Sequence, residues 1–142
     1  MGVPARTMKL SFFNRIFSAI NTTDNIQKGY SYFYSEVKRV KEIACMLQKG
    51  EKIFAIFDEL FKGTNVKDAL DPTLCVIKGF SNWRNSTFLL SSHLIELESQ
   101  LKEIKIINFL YFESSITNNT PVYSYKLKPG VSHERMGFLI LK

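Results

Sequence analysis

Residues 54–65 read FAIFDELFKGTN: an unbroken apolar run closed by two adjacent acids, with a lysine, a glycine and a threonine following. The run 53–57 is apolar throughout, the signature of a strand covered on both faces, as in a parallel sheet. A buried strand that ends in Asp58 and Glu59 aims two carboxylates out of its tip, and the neighbouring segments indicate why.

Upstream, SYFYSEVKRVKEIACMLQKG (residues 31–50) places Phe33, Val37, Val40, Ala44 and Leu47 at steps of three and four, with Ile43 alongside. That spacing predicts an amphipathic helix with one core face, Ser31 as its N-cap and Gly50 just past its end. Residues 8–13 and 15–20 look like short strands, separated from the helix by the polar loop NTTDNIQKG. Downstream, Asp71-Pro72 reads as an N-cap with proline in the first turn, opening a helix that runs to about Asn82. Residues 87–90 form a second apolar run, followed by Ser91, Ser92 and His93. Residues 104–112 and 122–127 are strand-like and flank a polar loop, an antiparallel hairpin at one edge, and a short final helix is expected over 134–140.

Strand, helix, strand is a βαβ unit, and its crossover makes the two strands parallel. Asp58, Glu59 and His93 then emerge at one carboxyl edge, where open α/β sheets bind ligands. The class expected is therefore α/β, a mainly parallel sheet flanked by helices, in one domain over residues 1–142.

A strand-terminal Asp-Glu pair suits nucleotide hydrolysis. The first acid can hold Mg²⁺ beside the β- and γ-phosphates of ATP, and the second can deprotonate the attacking water. A histidine on the neighbouring strand can donate a hydrogen bond to the γ-phosphate. Gly29 and Ser31 at a helix N-terminus add an anion site. The plainer alternative is that the acids cap a turn, Ser31 caps a helix, and His93 is a satisfied polar residue. Nothing matches the phosphate-binding loop G-x-x-x-x-G-K-[S/T], so either the carboxylates are decorative or the chain is part of a larger ATPase domain.

Composition allows one globular domain: 142 residues, 45% hydrophobic and 23% charged, without repeats or linkers. The net charge of +6 comes from scattered Lys and Arg, and no helix carries a concentrated basic face, which argues against a DNA-binding domain in itself. No apolar run approaches the ~20 residues of a membrane span, and MGVPARTMKL lacks the apolar core of a secretory signal, so a cytoplasmic protein with no membrane partner is expected. Cys45 and Cys75 sit singly in helical patterns without metal-ligand spacing and read as buried free thiols.

In order along the chain, the motifs resemble the C-terminal part of the ATPase domain of MutS-family DNA mismatch-repair proteins, which are related to ABC ATPases. Val3-Pro4-Ala5 resembles the family's VPA segment, and Asn14-Arg15-Ile16-Phe17 its D-R-I-F run. Asp24-Asn25-Ile26 with Gly29-Tyr30-Ser31-Tyr32-Phe33 resembles the signature D-(N/D)-L…G-x-S-T-F. DELFKGT, residues 58–64, is similar to the family's Walker B sequence, and Ser92-His93 to the T-H or S-H after the next strand. Tyr125-Lys126-Leu127, Pro129-Gly130 and Gly137 resemble its closing segment.

The resemblance implies a partial P-loop ATPase domain of ABC/MutS type, lacking the upstream phosphate-binding loop. Asp58 would serve Mg²⁺, Glu59 the hydrolytic water, and His93 the γ-phosphate. Ser31, beside Gly29, would reach the γ-phosphate of ATP held by a second MutS-like subunit, and Gly63, Thr64 and Asn65 would lie near that dimer interface. DNA would be held by other domains. The segment alone is expected to be inactive and to expose apolar surface where missing segments pack. Departures from the family pattern include Phe61 in place of the usual glycine of DELGRGT, and the aromatic Tyr32 and Tyr34. They place the chain on a divergent MutS-like branch. The alternative function is a non-catalytic dimerisation or regulatory module on the same fold.

Overall fold

The computed structural model describes residues 5–20, 32–62, 66–117 and 120–132. A three-stranded parallel sheet is built from β1 (Arg15–Ala19), β2 (Ile53–Asp58) and β3 (Thr87–Ser91), in the order β1-β2-β3. Helices α1 (Tyr32–Gln48) and α2 (Val66–Phe80) make the two connections, so the expected βαβ unit is present, twice over. A short helix α3 (Glu96–Leu101) follows β3, and β4 (Leu110–Thr117) pairs antiparallel with β5 (Thr120–Pro129).

Strand alternation sorts the sheet into two unlike faces. Phe17 and Ala19, then Ile53, Ala55 and Phe57, then Phe88 and Leu90 share one face by register, and the β2 members are fully buried there. The core cluster over that face includes Ile43 and Leu47 of α1, Ala69, Leu74 and Phe80 of α2, and Leu97 and Leu101 of α3. Phe80 lies between Phe57 and Phe88, with ring centroids 6.1 and 4.8 Å apart, so α2 is seated on both strands it connects. On the opposite face Ile16 is 71% and Leu89 52% exposed, while Phe54 carries the ring of Phe13 at 5.5 Å. The expectation that β2 is covered on both faces therefore holds for one; the second is half-open.

Several boundaries differ from the sequence reading. Residues 8–13 form no strand, because among the described residues their alternating apolar side chains find no ladder, and Phe12 is 95% exposed. Asn14 instead fixes the start of β1 by exchanging bonds of 2.7 Å with the backbone of Lys52. The buried stripe of α1 is rotated: Ile43 and Leu47 are its centre, whereas Phe33 and Val37 are exposed. Asp71 is not an N-cap, since α2 begins at Val66 and runs through Pro72. A proline there removes one internal hydrogen bond, yet buried Ala69, Thr73, Leu74 and Phe80 keep one helical face on the core.

Residues 102–109 are successive turns, closed by Ile104 N–H to Leu101 O and Ile107 N–H to Ile104 O, both 2.9 Å, with Ile104, Ile107 and Phe109 against the core. Their apolar spacing mimics a strand. The hairpin is a sheet of its own rather than an edge of the first; a register break between Phe112 and Ser114 and a left-handed Tyr125 (φ +55°) interrupt its ladder. Cys45 and Cys75 are free, as expected, but exposed, lying on the outer sides of α1 and α2. The helix expected over 134–140 lies outside the described residues. Among the described residues no helix is long and apolar enough to cross a membrane.

Gly50 terminates α1 as the pattern predicts. Its φ is +83° and its N–H returns to Leu47 O at 2.9 Å. No atom lies within 4 Å of where its Cβ would stand, so a substitution is felt through the backbone alone. Gly50→Ala is expected to cost about 1 kcal/mol and lower the thermal midpoint by a few degrees, with Gly50→Asn losing less; equal midpoints for all three proteins in a thermal melt would contradict the assignment.

Candidate functional site

β2 and β3 finish side by side, with Asp58 paired to Ser91 in the parallel ladder. Ser91 Oγ–H donates to Asp58 Oδ1 at 2.5 Å, and Glu59 N–H donates to Ser91 O at 3.1 Å, so the two strand tips are tied together twice. Two residues beyond Ser91, His93 Nδ1 lies 3.2 Å from Glu59 Oε1. The structure thus brings Asp58, Glu59 and His93 to one rim, and both members of the Glu59–His93 pair reach solvent, at 40% and 63% side-chain exposure. Ser31, Gly29, Thr64 and Asn65, the other expected site residues, lie outside the described residues.

The turn that follows explains how a buried strand can present carboxylates. Asp58 and Glu59 stand at the rim, while Leu60 and Phe61 turn back into the core, at 6% and 2% exposure. Lys62 N–H closes the turn on Glu59 O at 3.3 Å. Reversing direction so tightly takes Glu59 to φ +52° and Phe61 to φ +62°. Left-handed backbone costs a side-chain-bearing residue about 1–2 kcal/mol, a cost that the glycine of the resembled pattern DELGRGT would not carry at the position of Phe61. Here the ring compensates by burial and by packing on Phe33 of α1, with centroids 5.5 Å apart.

The residue that sequence reasoning missed is Glu36. It is 8% exposed, and its Oε1 accepts the Phe61 N–H at 3.1 Å across 25 residues of chain. A hydrogen bond to a charged group is worth about 1.5–3 kcal/mol, enough to offset the strain at Phe61. Its Oε2 is buried without a hydrogen-bond partner among the described residues. A cavity of about 20 Å³, room for about one water, is lined by Glu36 together with residues that include Ala19, Ser35, Arg39 and Leu60. The signal was present: Glu36 is in phase with Val40, Ile43 and Leu47, an acid on the core stripe of a helix. A larger open groove, about 440 Å³, runs along α3 and is lined by Ile95, Glu96, Glu98, Ser99 and Lys102, none of them from the rim.

Among the described residues no three His, Cys, Asp or Glu side chains gather as a metal cage. Among the described residues, then, no site of the Zn²⁺ type is formed. Mg²⁺ at a nucleotide needs only one or two carboxylates, the rest of its shell being phosphate oxygens and water, and Asp58 fits that requirement.

The family model for MutS domain V matches residues 1–142. The DNA mismatch repair protein MutS of Ehrlichia ruminantium (strain Gardel) is 29% identical over 140 residues, covering 99% of this chain and 17% of that protein. Its namesake in Wolbachia pipientis wMel is 26% identical over 99% of the chain and 16% of the relative. The protein of that name in Anaplasma phagocytophilum (strain HZ) is 28% identical over 95% of the chain and 16% of the relative. The chain thus spans about one sixth of the length of the curated relatives it matches.

Burial pushes the Glu36 carboxyl above its ordinary range, outweighing the Phe61 N–H and the charge of Lys62, which pull it down. A carboxyl whose pKa is raised on folding contributes stability that is full below the unfolded value and is lost as pH rises through the folded one. Glu36→Gln carries no such dependence. Between about pH 4 and pH 7 the stability difference is expected to move in favour of the glutamine protein. Urea midpoints at both pH values measure it; a constant difference would mean the carboxyl titrates as it does in the unfolded chain.

Proposed function

The chain belongs to the MutS domain V family, and on that footing we propose that it is the C-terminal portion of a P-loop-type ATPase domain. The parent protein couples binding and hydrolysis of Mg-ATP to DNA mismatch repair or a related DNA transaction. The observation that carries this reading is the 3.2 Å approach of His93 to Glu59 beside the Asp58–Ser91 pair, at the carboxyl edge of a parallel sheet.

In this reading Asp58 holds Mg²⁺ through its carboxylate, with Ser91 fixing the orientation of that group. The ion, when bound, neutralises charge on the β- and γ-phosphates. Glu59 accepts a proton from the attacking water. One of its oxygens is engaged by His93, which steers the carboxylate toward the rim. His93 contacts the γ-phosphate through Nε2. With Nδ1–H donated to Glu59, Nε2 donates only when the ring carries both protons. Ser31 and Gly29, just before α1, and Thr64 and Asn65, just before α2, complete the nucleotide contacts across a dimer of MutS-like subunits. The phosphate-binding loop and the DNA contacts come from segments other than these residues. This 142-residue chain by itself is expected to bind ATP weakly.

Glu59→Gln, placed in the longest protein that carries this segment, is expected to lower ATP turnover by at least about 100-fold while nucleotide still binds. Steady-state phosphate release together with a nucleotide titration reads both quantities. Unchanged turnover would remove Glu59 as the base, and tight Mg²⁺-dependent ATP binding by the isolated chain would remove the requirement for a separate phosphate loop.

A further inference from the structure

Two of the contacts between helix α1 and the turn after β2 are made by Phe61. Its amide is held by Glu36 and its ring by Phe33. Phe33 and Glu36 stand three residues apart, on one side of the first turns of α1, immediately after the position of Ser31. Glu59 and Phe61, both left-handed, stand two residues apart in the turn. A turn with two such residues has little intrinsic preference for its shape, so the shape depends on what grips it from outside. An acid buried on a helix core stripe, with one oxygen spent on that grip and the other unpartnered among the described residues, is costly to keep for packing alone.

We propose that Glu36 is a positioning residue for the carboxylate turn. By accepting the Phe61 amide it holds the left-handed conformation that sets Glu59 against His93, and it makes the start of α1 and the acid pair move as one body. The inference rests on the ATPase reading above and deepens it. A displacement of the start of α1, which Ser31 precedes in the sequence, is transmitted to Glu59 through a side chain rather than through the backbone between them. Glu36 itself touches no nucleotide.

The test compares Glu36→Gln with Glu36→Leu in the longest protein that carries the segment. Both remove the charge; only glutamine keeps an acceptor for the Phe61 amide. The leucine protein is expected to lose about tenfold in kcat with KM for ATP changed less than twofold, and to exchange amide hydrogens faster in the peptide covering residues 57–62. The glutamine protein is expected to stay within threefold of wild type on every measure. Where leucine prevents folding, the double variant Phe61→Gly/Glu36→Leu decides, because glycine enters the left-handed region without help. It should fold and turn over within threefold of Phe61→Gly alone. Leucine with wild-type kcat and exchange overturns the proposal, as do equal losses in the leucine and glutamine proteins or a double variant that stays inactive while Phe61→Gly works. Glu59→Gln, run alongside, separates the two levels: if it leaves turnover unchanged the ATPase reading fails, whereas its collapse beside an unaffected leucine variant overturns the role of Glu36 alone.

Discussion

Two hydrogen bonds at the end of one strand pair set the geometry of the rim. Ser91 accepts the Glu59 N–H on its carbonyl and donates its hydroxyl hydrogen bond to Asp58, so the last rung of the β2–β3 ladder is locked by backbone and side chain together. Parallel pairing makes both strands end at the same edge, and the lock makes them end at the same level. His93 reaches Glu59 only because of that second condition. The hydrophobic layer beneath, with Phe80 seated between Phe57 and Phe88, holds the strands against sliding.

The turn after Asp58 shows how local strain and core packing are balanced. Two left-handed residues would disfavour it in isolation. Leu60 and Phe61 are buried directly after the acids, so unwinding the turn would expose an aromatic and an aliphatic side chain together. Charge is thereby held at the surface by apolar atoms pulling inward from the next two positions. A phenylalanine at a position suited to glycine ties the rim to the core more firmly than a glycine would, and it depends on Glu36 and Phe33 to do so.

The parts legible in the sequence were those governed by short-range pattern. The apolar run into Asp58-Glu59, the second run into Ser91-Ser92-His93, the helix between residues 31 and 50 and its glycine stop all lie where spacing placed them, and the parallel edge followed from their order. The misreadings have a common cause, which is that local signals compete with tertiary contacts. Asp71-Pro72 has the chemistry of a helix start, yet the burial of Ala69 draws the helix back to Val66. Residues 104–109 are mostly apolar and rich in isoleucine like a strand but are tied by turns to α3, itself overlooked although Leu94, Leu97 and Leu101 repeat at helical spacing. The position of Glu36 on the core stripe of α1 was legible from its spacing, whereas its partner, a backbone amide 25 residues away, is encoded by no side-chain pattern.

The ladder also divides the chain into lengths that can drift and lengths that cannot. Arg84 and Asn85 are exposed between the packed Trp83 and the bond from Ile53 N–H to Ser86 Oγ at 3.0 Å, so extra residues there would bulge into solvent and leave the rim untouched. Ser92 alone separates His93 from the last rung at Ser91, so a residue added there lengthens the span between the locked strand tip and the imidazole that meets Glu59 at 3.2 Å. The spacing from strand tip to histidine is therefore the part of this sequence on which length, more than composition, is under constraint.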